Sequence, residues 1–296
     1  MTKRPNDLVG LSIFLLKLYI RRPLVWVVLG LALIGLVVLW VVSSSAPPVR
    51  IATFNIETYP QTPGQSAGAV QLLGTLDVDV VGVQEITDRD VFVENVRLYL
   101  GDEWETVFPD QKVFHSVGLV YDSTVLGVRE VRTHYETVIH RGARATLEVR
   151  LETRGARNQR QVRVFVLHLK ATSLGHEIRR RQLEALRPIV ERAVDTGDEV
   201  VVLGDFNTTG DSDRVLVEEF GEATGLSWSS AEIPCTSYWD KKDICLTTAL
   251  DHILANKDAR EIRVRGACET VGCENRESCP VYIRMVSDHC PLTAVY

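Results

Sequence analysis

The first 234 residues contain no cysteine; all six, Cys235, Cys245, Cys268, Cys273, Cys279 and Cys290, fall in the last quarter of the 296-residue chain. None of them forms a C-x-x-C pair, the short spacing that zinc sites use. An even, clustered set without that spacing points to disulfides formed in an oxidising compartment, although sequence does not choose among their pairings. Positive charge is also in short supply. The net charge is −6 and the pI about 5.7, so no global basic field surrounds the protein. That argues against a tight, sequence-independent nucleic-acid binder and leaves room for a local basic patch. Repeats, low-complexity tracts and internal linkers are absent from Val49 onward, which predicts one large domain over 49–296.

Charge is missing altogether from Leu24 to Val42, LVWVVLGLALIGLVVLWVV. At helical rise these residues reach roughly 28 Å, about the hydrocarbon thickness of a bilayer. Trp26 and Trp40 lie near the two ends, where indoles prefer the interface, and Pro23 suits a first helical turn. The sequence therefore predicts a transmembrane helix over 24–42. Lys3, Arg4, Lys17, Arg21 and Arg22 precede it and Arg50 alone follows closely, which places the N-terminus in the cytoplasm and the remainder outside. An outside location agrees with the cysteines. Residues 1–23 then form a basic cytoplasmic segment in which LVGLSIFLLKLYI can lie along the interface, and 43–48 form a tether. A cleaved signal peptide is the alternative, since SSSA after the span is small enough to be cut.

Past the tether, apolar runs rich in branched residues mark strands: VRIATFNIE, VDVVGVQEI, HSVGLVYD and VLGVREVRTH around a turn, then RATLEVRLET and QVRVFVLHLK as a hairpin. EVVVLGDFN, ALDHILA, EIRVRGA, PVYIRMV and PLTAVY complete the set. Helices are predicted over 66–76, over HEIRRRQLEALRPIVERAVDTG with Ile178, Leu186, Ile189, Val190 and Ala193 on one face, and over DSDRVLVEEFGE. Hairpins mixed with strand–helix–strand units imply two sheets with helices outside. Asn55, Glu85, His168, Asp205, Asn207, Asp251 and His252 each interrupt or end an apolar strand. One such residue is ordinarily a hydrogen-bonded structural group; seven of them, mostly at strand ends, can converge on one rim.

Read in order, TFNIE, VQEI, VLHLK, LGDFN, LDHIL and VSDHCPL resemble the endonuclease/exonuclease/phosphatase superfamily, which includes deoxyribonuclease-I-like and exonuclease-III-like phosphoesterases. The resemblance covers nearly everything after Val49. It implies a four-layer α/β sandwich of two mixed β-sheets flanked by helices, and a phosphodiester hydrolase, most readily a nuclease. A phospholipid, phosphoinositide or sphingomyelin phosphoesterase is the second reading, and a catalytically inactive binding module a third. Hydrolysis of a phosphodiester needs a water nucleophile and charge neutralisation, and a hard divalent cation, Mg²⁺ or Mn²⁺, takes carboxylate oxygens. By resemblance Glu85 is the principal metal ligand, with Asn55 beside it and Asp288 as a further carboxylate. Asp205 aligns or deprotonates water, and Asn207 supports the phosphate from the same strand face if the strand continues. His289 faces the scissile phosphate, with Asp251 fixing its ring, and His168 is a proton donor or phosphate contact. Which of Asp205 and His289 is the base stays open at this level, as does any role for His252. Arg144 and Trp239 are candidates for phosphate and substrate contact; a solvated arginine and a packed aromatic are their plain alternatives.

The segment SDHC, Ser287 to Cys290, sets an acid, a histidine and a cysteine side by side. Cys290 is not needed as a nucleophile because the chemistry implied by the other motifs uses water. Its expected task is a disulfide that anchors the segment bearing His289.

Overall fold

A computed structural model describes residues 26–35, 47–155 and 158–296. The chain divides into two units, Met1–Pro47 and Pro48–Tyr296. In the first, residues 26–35 are helical and their apolar side chains are open: Trp26, Val27, Leu29, Leu31, Leu33 and Ile34 are all exposed. No helix among the described residues is long and apolar enough to cross a membrane. The basic residues before the span, the interfacial segment, the remainder of 24–42 and most of the tether lie outside the described residues.

The second unit is built on two six-stranded mixed sheets. The strands are β1 (Arg50–Tyr59), β2 (Val80–Ile86), β3 (Trp104–Val107), β4 (Ser116–Asp122), β5 (Leu126–His134), β6 (Thr146–Thr153) and β7 (Gln161–His168). They continue with β8 (Glu199–Asp205), β9 (Ser227–Trp228), β10 (Ser237–Lys241), β11 (Ile244–Thr248), β12 (Asp251–Ala255), β13 (Glu261–Val264) and β14 (Leu292–Val295). One sheet runs β13-β14-β1-β2-β4-β3 and the other β5-β6-β7-β8-β12-β9, while β10 and β11 make a separate hairpin. The parallel pairs β1–β2 and β7–β8 sit inside otherwise antiparallel sheets. The predicted hairpin β6–β7 is present. HSVGLVYD and VLGVREVRTH form strands around a turn as expected, and the chain changes sheets there: β4 pairs with β2 and β3, β5 with β6.

Helices α1 (Pro63–Leu73) and α2 (Arg89–Leu100) cover one sheet, α3 (His176–Asp195) and α4 (Asp211–Thr224) the other. The period-two alternation of strands sorts side chains into layers. Ile51, Val80, Leu119, Leu147, Val149, Val164, Val166, Val201, Leu203, Ile253 and Leu292 meet between the sheets. Phe54, Val81 and Val83 face α1 and α2, and Phe165, Val200 and Val202 face α3 and α4. On α3 the buried stripe includes Leu186, Ile189, Val190 and Ala193 as expected, but Ile178 is only partly covered. Arg179 takes the buried place instead, donating to Asp213 and to the carbonyls of Lys170 and Thr172.

PVYIRMV, read as a strand, forms the short helix α6 (Tyr282–Met285), preceded in the insert by α5 (Ala267–Thr270). The reason is topological: β14 already pairs with β1 on one side and β13 on the other, which leaves this segment no free edge there. All six cysteines are paired, Cys235–Cys273, Cys245–Cys279 and Cys268–Cys290. They form a small core of their own with Tyr238 and Ala267, beside the segment that carries Asp288 and His289.

Candidate active site

The layer between the sheets ends in polar residues, and strand parity selects them. On β8, Val201 and Leu203 point inward, and Asp205 is the next residue of that face. On β7, Val162, Val164 and Val166 lead to His168, and on β1 Ile51 leads through Thr53 to Asn55. On β12, Asp251 precedes Ile253 and Ala255. His252 has the opposite parity. Its ring packs against Phe206 and Trp228, its Nε2 lies 2.8 Å from Thr208 Oγ1, and burial pushes it down to about 3. It is a neutral structural histidine outside the site.

Glu85 breaks the parity. Continued alternation on β2 would turn it toward the helices, but the residue has φ 64 and the register with β1 and β4 shifts there. This bulge re-aims the carboxylate into the site. Glu57 (φ 45), Thr58 (φ 48) and Asn207 (φ 54) are also left-handed without being glycine. Such strain gathers where geometry is held for function.

Asp205 lies at the centre. Its Oδ2 accepts from Asn55 Nδ2 at 3.0 Å and stands 3.4 Å from His168 Nε2, while its Oδ1 accepts from the Asn207 amide at 2.8 Å. Burial first, then the charges of Asp251 and Glu85, push Asp205 up to about 7 against the pull of His289 and the Asn207 amide. His168 is buried and well below the ordinary histidine value, by desolvation and by the positive charges of Arg144 and His289. Asn207 departs from expectation. The strand ends at Asp205, so the two side chains do not share a strand face, and the Asn207 side-chain Nδ2 donates to Leu169 O at 3.2 Å.

His289 Nδ1 lies 2.7 Å from Asp251 Oδ2. Burial alone would depress this imidazole, but Asp251, Asp288 and Asp205 outweigh it and hold the ring well above its ordinary value. Its Nε2 faces Asp288 Oδ1 at 4.0 Å. Asp288 is pushed up to about 6 by burial and by the neighbouring charges of Glu57, Glu85 and Asp251, which outweigh His289. The strap holding this pair was not singled out in the sequence. Ser287 Oγ donates to Asn55 O at 2.8 Å, Tyr238 N to Asp288 O at 2.8 Å and Cys290 N to Thr236 O at 2.7 Å. Thr236 Oγ1 also donates to Asp251 Oδ2 at 2.7 Å.

His115 was missed as well. It stands just before β4, on the inward parity of Val117, Leu119 and Tyr121, which is the signal that would have found it. Its Nε2 is 3.2 Å from Thr58 Oγ1 and 3.8 Å from Glu85 Oε2, and Arg144 Nη2 is 3.3 Å from its Nδ1. Burial and Arg144 lower His115, against Glu85. Burial lowers Arg144 too, against the attraction of Glu85 and Asp205, so this guanidinium looks into the acidic centre rather than out to solvent. Its Nε is buried without a hydrogen-bond partner in the protein. Trp239 is 60% exposed on β10, one residue past the amide that binds Asp288 O, so the packed-aromatic alternative does not hold.

Asp205, Asp251 and His289 bring their ligand-type atoms within 4.8 Å of one another. A protonated His289 already supplies a cation to these two carboxylates. The demand for further positive charge lies beside them, at Asp288, whose Oδ1 is buried without a partner, and at Glu85. Glu85 keeps a depressed value through His115, His289, Asn55 and the Thr58 amide, despite burial. Ionised, hard-oxygen donors of this kind fit Mg²⁺ or Mn²⁺.

The model of the Endonuclease/Exonuclease/phosphatase family matches residues 52–289. No curated protein matches the chain by sequence. Among solved structures, D. rerio TDP2 complexed with single strand DNA product shares the fold with a TM-score of 0.63 and 14% identity, over 84% of this chain and 99% of that one. An endonuclease/exonuclease/phosphatase from Bacteroides vulgatus gives 0.63 and 17%, over 84% and 98%. The human Nocturnin catalytic domain with bound sulfate gives 0.60 and 16%, over 85% and 95%.

Proposed function

The chain belongs to the endonuclease/exonuclease/phosphatase family, whose members hydrolyse phosphate esters, and from that premise we propose that it is a membrane-anchored, extracytoplasmic, metal-dependent phosphodiesterase acting on nucleic acid. The observation that carries the reading is the arrangement around Asp205: a buried carboxylate near pH 7, oriented by Asn55 and the Asn207 amide, beside an imidazolium oriented by Asp251.

In this reading Asp205 is the base. A carboxylate raised to about 7 is basic enough to take a proton from an attacking water at neutral pH, and its two oxygens are aimed by hydrogen bonds from Asn55 Nδ2 and the Asn207 backbone N–H, with His168 Nε2 at 3.4 Å. His289 keeps its proton and presents Nε2–H to a phosphoryl oxygen, where it offsets the charge that develops as water adds to phosphorus. Arg144 offers its unpaired Nε–H to the phosphate. His168, neutral in the floor, holds Asp205 and contacts the phosphate side of the pocket. Glu85 and Asp288, with Asn55 alongside, would hold Mg²⁺ or Mn²⁺, which would supply Lewis-acid charge to the phosphoryl oxygens. Trp239 offers an open indole face at the rim.

Nucleic acid is favoured over lipid by the GDFN and HLK motifs and by the DNA product in the similar TDP2 fold. The anchor rests on the uncharged run 24–42, the open apolar faces of helical residues 26–35 and the basic residues that precede them. The three disulfides support an oxidising, extracytoplasmic location.

The test is hydrolysis by the purified full chain, in detergent, of single- and double-stranded DNA, RNA, sphingomyelin and phosphoinositides, with Mg²⁺ or Mn²⁺. Cleavage of DNA or RNA that disappears with chelator is the expected result. Asp205→Ala and His289→Ala should each lower it by about 10² to 10⁴-fold. Full activity in either variant, or turnover confined to lipid, overturns the assignment.

A further inference from the structure

We infer that His115 is a positioning residue that ties the phosphate-facing Arg144 to the metal-holding Glu85, an inference that rests on the phosphodiesterase reading above. The donor rules fix the direction of every bond in the chain. An arginine nitrogen only donates, so His115 Nδ1, 3.3 Å from Arg144 Nη2, accepts. A ring that accepts at Nδ1 carries its hydrogen on Nε2, and Nε2–H points to Thr58 Oγ1 at 3.2 Å. Thr58 Oγ1 in turn donates to Glu85 Oε2 at 3.2 Å, the oxygen that the Thr58 amide also holds at 2.9 Å. Arg144, His115, Thr58 and Glu85 are therefore linked head to tail, donor to acceptor, and a second proton on His115 would set two donors against each other.

Three features make this more than local packing. Among the described residues Arg144 has no carboxylate within ion-pair distance and hydrogen-bonds no side chain other than His115. Thr58 and Glu85 both sit in left-handed backbone, and this irregular geometry brings the Thr58 amide and hydroxyl together onto Glu85 Oε2. Phe114 lies tilted against the His115 ring, 4.7 Å between centroids and 37° between planes, while itself remaining 70% exposed, so it covers one side of the ring. His115 thus places a cation for phosphate and an anion for metal at a set separation.

Substitution can separate the two arms. His115→Asn keeps an acceptor near the Nδ1 position and loses the donor toward Thr58. His115→Gln keeps a donor near the Nε2 position and loses the acceptor toward Arg144. His115→Phe loses both and keeps the ring. The measurements are calorimetric Mn²⁺ binding without substrate, thermal melting, and the kinetics of bis(p-nitrophenyl) phosphate hydrolysis by the full chain. Loss of a partner that orients a ligand typically costs about 10–100-fold in metal affinity or activity. His115→Asn should weaken Mn²⁺ binding by about that factor with KM nearly unchanged. His115→Gln should raise KM with Mn²⁺ binding nearly unchanged, and His115→Phe should show both defects with little change in melting temperature. Wild-type behaviour of all three variants overturns the inference, and so does a uniform loss of folding and binding without the split. If the wild-type chain binds Mn²⁺ and His115→Asn weakens that binding while His115→Gln does not, but no chain hydrolyses the phosphodiester, the proposed function is refuted and the link from His115 to Glu85 stands. A wild-type chain that binds no Mn²⁺ refutes both.

Discussion

Asn55 Nδ2 donates to Asp205 Oδ2 across 3.0 Å, and the two residues stand on different sheets, 150 positions apart in the chain. The same amide reaches Glu85 Oε1 at 3.3 Å. One side chain therefore joins the candidate base to the candidate metal ligand and fixes the sheets to each other at the rim. Asn55→Ala should lower phosphodiester hydrolysis by about 10–100-fold, as loss of an orienting partner does elsewhere. Asn55→Asp should not rescue it, because a carboxylate there accepts where the amide donates and adds a negative charge beside Asp205 and Glu85. Steady-state rates decide, and unchanged activity in the alanine variant would show that the bridge serves the fold alone.

Close approach of backbone at the same rim yields a second prediction. Gly204, one residue before Asp205, has φ 141, and a Cβ there would lie 2.0 Å from Leu167 O. Neither strain nor overlap can be relieved without separating β7 from β8, the strands that carry His168 and Asp205. Gly204→Ala should cost more than about 3 kcal/mol by urea unfolding, at the severe end for single substitutions. Gly210 is extended and meets nothing within 4 Å, so Gly210→Ala should cost less than about 1 kcal/mol. Equal costs would mean that the β7–β8 contact yields.

Most of the site was legible because strand parity and motif order agree. Asn55, His168, Asp205 and Asp251 continue the inward-facing series of their strands, and parity alone would have set His252 aside and drawn attention to His115. Glu85 was legible only through its motif, since a bulge overrides its parity. Asn207 was placed on the wrong premise because the turn after Asp205 is left-handed. Helix α2 and the β10–β11 hairpin were not seen, nor was the buried Arg179, where a charge occupies a place that periodicity reserves for an apolar residue. Its partners, Asp213 on α4 and the carbonyls after β7, are distant in sequence, so no local pattern announces them.

A buried charge network predicts the acid limb of stability. Glu148 on β6 bonds Arg163 and lies 2.6 Å from His134 Nε2, and Arg163 Nε donates to Asp198 at 2.9 Å. Burial alone would raise Glu148, but His134 and Arg163 hold it below its ordinary 4.5, and Arg150 and Arg163 likewise hold Asp198 below 3.8. A carboxyl depressed in the folded state stabilises fully above its unfolded value and loses that contribution as pH falls through the folded one. The contribution of this network should therefore hold from neutrality to about pH 5 and fall away below it. Glu148→Gln should melt lower than wild type at pH 7, with the gap narrowing toward pH 3. A gap independent of pH would assign the effect to packing.

The last prediction concerns the disulfide beside the catalytic histidine. Cys290 follows His289 directly, pairs with Cys268, and donates its amide to Thr236 O, while Thr236 Oγ1 holds the Asp251 oxygen that orients His289. Thiol labelling of the unreduced, denatured protein should find no free cysteine. In Cys268→Ala/Cys290→Ala the lost cross-link should cost about 3 kcal/mol for a loop of this size. If the disulfide also fixes the histidine, activity should fall about tenfold even far below the melting temperature, because a small displacement at the reacting group is expensive. Removal of Cys245–Cys279, which ties the insert to β11 rather than to the His289 segment, should lower stability and spare the rate. Equal loss of rate in both double variants would show that the disulfides act only through the insert as a whole, whereas loss confined to Cys268–Cys290 assigns that bond to catalysis through His289.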